Sequence, residues 1–173
     1  MATMILLPNA TGVTHSDWVA VGEPSRHECL DDDNAATSYV KCSADTRIMI
    51  IEYANPSVAE ADIASIDSVR FLSSGKANHR SSPSLVSIAF EAPTAGFSEP
   101  ASYDAHRTNF ETINGTARTT SDGSNAWTYS DLEDLEMKCT KNATVEVYLS
   151  YLALEVTYTE AAADNSIFFG CNF

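Results

Sequence analysis

The segment from Thr144 to Thr159, TVEVYLSYLALEVTYT, constrains the fold more than any other stretch of this chain. Its side chains alternate in polarity, the period-2 signature of a strand with two unlike faces. The alternation changes phase partway along. Val145, Val147, Leu149 and Tyr151 share one parity, whereas Leu152, Leu154, Val156 and Tyr158 share the other. A single strand of that length would span roughly 50 Å at about 3.3 Å per residue, far beyond the ~17–20 Å of common strands. One extra residue near Ser150–Leu152, a β-bulge, returns the second apolar set to the first face and bends the strand. Long bent strands suit two stacked sheets whose strands pass from one to the other. The expectation is an all-β chain, an antiparallel β-sandwich of jelly-roll-like form.

The rest of the sequence is punctuated accordingly, with short apolar runs between turn residues. Strands are expected at Met4–Leu7, Trp18–Val21, Ser38–Cys42, Arg47–Tyr53, Ile66–Leu72 and Leu85–Ala92. Pro8 and the Asn9–Gly12 stretch read as a loop. Arg47–Tyr53 (RIMIIEY) is apolar on both parities, which predicts a central strand covered on each side. In Leu85–Ala92, Val86, Ile88 and Phe90 point inward and Ser87 and Glu91 outward. A long connection is expected from Pro93 to about Gly123, with one strand between Phe110 and Ile113 and turns at Asn114-Gly115 and Asp122-Gly123. Ser130-Asp-Leu-Glu133 reads as a capping box opening one short crossover helix, with Leu132 and Leu135 on a shared face. Residues 1–160 then form the sandwich domain. Residues 161–173 form a C-terminal tail whose Ile167, Phe168, Phe169 and Phe173 are the candidate partner-binding anchor, since each large apolar side chain is worth roughly 1.5–3 kcal/mol when buried.

Charge narrows the partners. Asp and Glu number 24 against 10 Lys and Arg, a net charge of −14. Such a surface repels phosphate backbones and anionic membranes, so direct nucleic-acid binding is not expected. No window approaches the ~20 apolar residues of a membrane span. The amino-terminal run lacks the basic and long apolar regions of a signal peptide, so with Met1 as initiator the protein folds in the cytosol of the cell that makes it. Cys29, Cys42, Cys139 and Cys171 show no ligand-like spacing. They allow two disulfides in three connectivities, or free buried thiols.

Candidate chemistry is sparse. Asp31, Asp32, Asp33 and Asn34 offer oxygens of the kind Ca²⁺ prefers, but consecutive residues cannot all point one way and the EF-hand spacing is absent. A turn into the Ser38–Cys42 strand accounts for the same residues. His15, His27, His79 and His106 are scattered, and His27-Glu28-Cys29 has no second half to complete a zinc site. The carboxylates Asp131, Glu133, Asp134 and Glu136 read as a solvated, dipole-compensating face. No nucleophile stands at readable spacing from a base, and no phosphate-binding glycine motif occurs. No cofactor and no catalysis are expected. The three Asn-x-Thr sequons, at Asn9, Asn114 and Asn142, are about as many as composition yields by chance. Trp18, Trp127 and Tyr103 could line a sugar platform, although a Trp in a small sandwich is more often core.

Taken in order, DWVAV, CLDDDNAATSYV, IDSVRFL, AWTYSDLEDLE and YLSYLALEVTY resemble a diffuse set of accessory and decoration proteins from the virions of tailed bacteriophages and related tailed viruses. The likeness spans about Asp17 to Thr159. It implies a jelly-roll-like sandwich that attaches to a capsid or tail, in which Trp18, Tyr39, Trp127 and Tyr158 are structural and no residue is catalytic. The function it implies is that of a non-enzymatic virion subunit, made in the host cytoplasm, that decorates or cements a capsid through homotypic contacts and contacts with major capsid or tail proteins. The alternatives are a carbohydrate-binding or adhesion module, calcium-dependent through Asp31–Asn34, and a subunit of a secreted surface filament.

Overall fold

The computed structural model describes residues 1–32, 37–77, 84–92, 98–103, 109–142 and 145–162. Among these described residues eleven strands build two antiparallel sheets. They are β1 (Ala2–Leu6), β2 (Pro8–Thr14), β3 (Trp18–Val21), β4 (Tyr39–Cys42), β5 (Ile48–Tyr53), β6 (Ile63–Ala77), β7 (Ser84–Ala92), β8 (Ser98–Tyr103), β9 (Glu111–Asn114), β10 (Glu136–Lys141) and β11 (Val147–Glu160). The six-stranded sheet runs β3-β4-β11-β6-β9, with β1 also paired to β11, and the five-stranded sheet runs β2-β5-β10-β7-β8. The fold is an antiparallel β-sandwich, as the alternation of β11 predicts.

The phase change in β11 is a bulge. Leu149 pairs with Gly75 and Tyr151 with Ser74, so Ser150 is the extra residue opposite β6. Val147, Leu149, Leu152, Leu154, Val156 and Tyr158 are consequently all buried, while Tyr148 and Tyr151 are half-buried on the other side. Two further register shifts, beside Asp67 and Ala64 of β6, let Ile66 join Val69 and Phe71 in the core. Asp67 at the first of these accepts hydrogen bonds from Ser65 Oγ (2.9 Å) and Thr159 Oγ1 (2.9 Å).

β11 nevertheless stays in one sheet. It is the amino-terminal segment that crosses between layers: β1 pairs with residues 154–158 of β11, and β2, one residue further on, pairs with β5. Asn9–Gly12 is therefore strand rather than loop. Gly12 lets β2 lie close over β5, because a Cβ there would stand 3.1 Å from Ile50 Cγ2. The second side of β5 is not covered as its composition suggests: Ile48 is exposed and Ile50 half-buried. Inside, Met49, Ile51, Tyr53, Val86, Ile88, Phe90, Met137 and Cys139 of the five-stranded sheet face the apolar row of β11. Tyr53 ties the layers together, its hydroxyl donating to the Leu152 carbonyl at 3.1 Å.

The connection after β7 holds two strands, β8 and β9, where the sequence suggests one. Pro100 in β8 argues against a strand interior, yet β8 is the outermost strand of its sheet, where a missing N–H costs no ladder bond. Asp122-Gly123 does turn the chain: Gly123 has φ +89°, and Asp122 accepts amide hydrogen bonds from Asn125 (2.7 Å) and Ser124 (2.8 Å). The helix α1 (Tyr129–Glu133) starts two residues earlier than its sequence signature, because Thr128, not Ser130, is the N-cap. Thr128 Oγ1 accepts from the Asp131 amide and the Asp131 carboxylate accepts from the Thr128 amide. Leu132 and Leu135 are both buried beneath it. Cys29, Cys42 and Cys139 are free, buried thiols; burial pushes Cys139 up to about 12. Among the described residues no helix is long and apolar enough to cross a membrane.

Candidate functional site

Three surface features carry enough chemistry to be weighed. The first lies where the chain leaves β3. Ser25 Oγ donates to Glu28 Oε2 at 2.6 Å and stands 3.0 Å from His27 Nδ1, with Thr11 Oγ1 3.3 Å from the same nitrogen. Serine, histidine and a carboxylate are thus adjacent, but their order is wrong for nucleophilic catalysis. In a triad the carboxylate orients the histidine and the histidine takes the serine proton. Here the serine proton goes to the carboxylate, and the Ser25 hydroxyl holds Glu28 below its usual range. Glu28 also accepts from the Ser25 amide at 3.0 Å, so the group closes a turn before the 3₁₀ segment Glu28–Leu30.

That segment leads into the acidic run. Asp31 ends it, half-buried, and burial together with the charge of Asp32 raises its pKa above the usual carboxylate value. Asp33 and Asn34, half of the candidate calcium set, lie outside the described residues, as do Ile167, Phe168, Phe169 and Phe173 of the candidate anchor and Cys171, His79 and His106. Among the described residues no group of three or more His, Cys, Asp or Glu side chains could hold a metal ion.

The second feature is a cleft of about 600 Å³ at one end of the five-stranded sheet, lined by Asn9, Glu52, Tyr53, Asn55, Glu133, Asp134 and Glu136. Glu52 and Glu136 face each other directly across β5 and β10, a like-charge pair that destabilises a ladder. Of the carboxylates read from sequence as a solvated helix face, the structure brings Glu133, Asp134 and Glu136 to this cleft and turns Asp131 to the helix cap.

The third is on the outer face of the six-stranded sheet. The register places Val19 of β3 opposite Lys41 of β4, Lys41 opposite Tyr148 of β11, and Tyr148 opposite Lys76 of β6. Phe110, just before β9, completes the row. Tyr39 lies alongside, its ring centroid 5.3 Å from that of Tyr148 and 6.4 Å from that of Phe110. The Lys76 ammonium sits 4.8 Å from the Phe110 centroid and 5.1 Å from that of Tyr148. Lys41 Nζ approaches Glu146 Oε1 at 4.0 Å, and the Tyr148 hydroxyl donates to Glu146. All three rings are half-buried, so each keeps an edge or face toward solvent.

This group was not singled out from sequence. The tryptophans considered as a sugar platform are core instead: Trp18 is fully buried with its indole N–H on the Arg47 carbonyl (3.1 Å), and Trp127 donates to the Arg118 carbonyl (2.8 Å). Tyr158 is buried as well, whereas Tyr39 is on the outside. The signal that could have found the site is an aromatic residue on the polar phase of a strand: Tyr39 precedes inward Val40, and Tyr148 separates inward Val147 and Leu149.

No protein-family model and no curated protein matches the sequence. Solved structures with a similar course of chain include "Family 16 Carbohydrate Binding Module-2", at 12% identity over 80% of this chain and 84% of that one, TM-score 0.42. The family 29 carbohydrate-binding module of Piromyces equi is similar at 12% identity over 96% and 97%, TM-score 0.41. The N-terminal cellulose-binding domain of Cellulomonas fimi β-1,4-glucanase C is similar at 15% identity over 84% and 89%, TM-score 0.37. At these TM-scores the likenesses carry no weight for function.

Proposed function

We propose that the chain is a non-catalytic carbohydrate-binding module whose ligand face is the outer face of the six-stranded sheet. The observation that supports this reading is the gathering of three half-buried rings, Tyr39 lying 6.4 Å from Phe110 and 5.3 Å from Tyr148 between centroids. A sugar ring has an apolar face of C–H groups and a rim of hydroxyls. Aromatic side chains cover the first with little entropy to lose, and a few polar groups beside them reach the second. Here the polar groups are Lys41, Glu146 and the Tyr148 hydroxyl.

The test is affinity electrophoresis through gels containing soluble glucans, xylan, mannan or polyuronates. Wild-type protein is retarded by at least one of them. Tyr148→Ala and Tyr39→Ala, folded by circular dichroism, bind about five- to thirtyfold more weakly, the loss of roughly 1–2 kcal/mol per ring. Absence of retardation by every polysaccharide, or variants that bind like wild type, refutes the reading.

The virion-subunit reading that the sequence resemblance implies is favoured by a different observation. Apolar side chains stand in solvent on strands at or near the sheet margins: Ile5 at 42%, Val19 at 45% and Val13 at 82% exposure. A subunit that packs on copies of itself or on a shell would cover them. Native mass spectrometry separates the two, since a lone binding module stays monomeric at micromolar concentration and a lattice subunit does not.

A further inference from the structure

We propose that the polysaccharide taken by this face is anionic, bearing carboxylate or sulfate groups, and that Lys76 is the cation that reads them; the proposal rests on the carbohydrate reading above. The chain carries more than two acids for every base, 24 against 10, so a cation near its surface readily finds a carboxylate. Arg47 pairs with Asp17 at 2.7 Å, Arg70 with Glu155 at 2.8 Å and Lys41 with Glu146 at 4.0 Å. Lys76 does not. Among the described residues no carboxylate lies within ion-pair distance of it, and its ammonium rests instead against the faces of Phe110 and Tyr148.

That placement has a physical consequence. Attraction to a ring quadrupole positions an ammonium and lowers the entropy of its long stem, but leaves its full charge for an incoming anion. A ligand that stacks on the Tyr148 ring brings its substituents to the sheet position occupied by Lys76, directly opposite Tyr148 in the β6–β11 ladder. A carboxylate or sulfate there gains a charge-assisted hydrogen bond that a hydroxyl cannot match. The neighbouring carboxylate, Glu146, is already engaged by Lys41 and by the Tyr148 hydroxyl. The net charge of −14 opposes a polyanion at long range. At about 0.15 M salt the screening length falls to about 8 Å, which mutes distant carboxylates and leaves the contact at Lys76 largely intact.

The experiment measures retardation at that salt concentration in gels of polygalacturonate, dextran sulfate, hydroxyethyl cellulose and laminarin. Wild type is held more strongly by one of the two polyanions than by the neutral chains, and the preferred polyanion tells carboxylate from sulfate. Lys76→Gln weakens polyanion binding about tenfold or more and weakens binding of the neutral chains by a much smaller factor. Lys76→Arg retains the preference, and Lys76→Met, which keeps an apolar stem over the rings, loses it. Preference for the neutral chains, or Lys76→Gln and Lys76→Met binding polyanions like wild type, overturns the inference while the carbohydrate reading stands. If no polysaccharide binds, the two fall together.

Discussion

Removing Ser150 from the middle of β11 is expected to do little harm, whereas removing Ala153, three residues on, is expected to unfold the protein. The reasoning follows from the ladder with β6. Two residues of β11, Ser150 and Tyr151, fill the space opposite the single step from Gly75 to Ser74. Without Ser150 the pairing becomes one to one, and the inward series Val147, Leu149, Leu152, Leu154, Val156 and Tyr158 keeps its face. The cost is the lost bend and a shift of about 3.3 Å between the residues of β11 that pair β4 and those that pair β1. We expect no more than about 3 kcal/mol. Without Ala153 every later residue changes face, and Leu154, Val156 and Tyr158, now at most 6% exposed, turn to solvent. At roughly 1.5–3 kcal/mol each the loss is about 5–9 kcal/mol, comparable to the ~5–15 kcal/mol that holds a domain folded. Urea unfolding followed by far-UV circular dichroism and tryptophan fluorescence measures both. Equal damage from the two deletions, or a folded Ala153 deletion beside an unfolded Ser150 deletion, would show that the bulge does not set the facing of this strand.

Gly115→Ala should destabilise by about 1–3 kcal/mol through overpacking, because its Cβ would stand 2.5 Å from two carbons of the buried Phe71 ring. At about 2–4 °C per kcal/mol for a chain of this size the melting temperature falls by roughly 2–12 °C, and Phe71→Leu in the same chain should recover part of it; a neutral Gly115→Ala contradicts the packing. Amide hydrogen bonds from Asn125 and Ser124, with the Asn125 side chain, hold the Asp122 carboxyl below its usual range. Its contribution is therefore present above the unfolded-state value and is lost as pH falls through the lower folded value. An NMR titration midpoint at or above ~3.9, the free aspartate value, would show that the turn does not depend on that carboxylate.

How much could be read without coordinates varied with the kind of signal. The bulge was legible because polarity alternation is a direct record of which face is buried, and one slipped residue leaves a visible seam. The helix was legible in kind but shifted by two residues, since Thr128 and Ser130 both stand three residues before an acidic side chain and only the backbone course decides between them. β2 and β8 were hidden by Gly12 and Pro100, residues that sheet margins tolerate and interiors do not. The crossing between layers lies at the amino-terminal end, where the one linking residue, Leu7, and Pro8 read as a strand end and not as a change of sheet. The aromatic face was missed for another reason. Tyr39, Phe110 and Tyr148 lie far apart in sequence, and only strand order brings them together.

The partnership of β1 with β11 also bears on how such a chain is made. Residues 2–6 leave the ribosome well ahead of their partners, with Met4 and Leu6 looking for cover that residues 154–158 supply only after more than a hundred further additions. Closure of the larger layer thus waits until residue 158 has been made, and distant pairings of this kind are slow to form. In the interval an apolar ribbon stands unguarded, so yield in the cell should depend on how fast translation finishes and on which chaperones attend it.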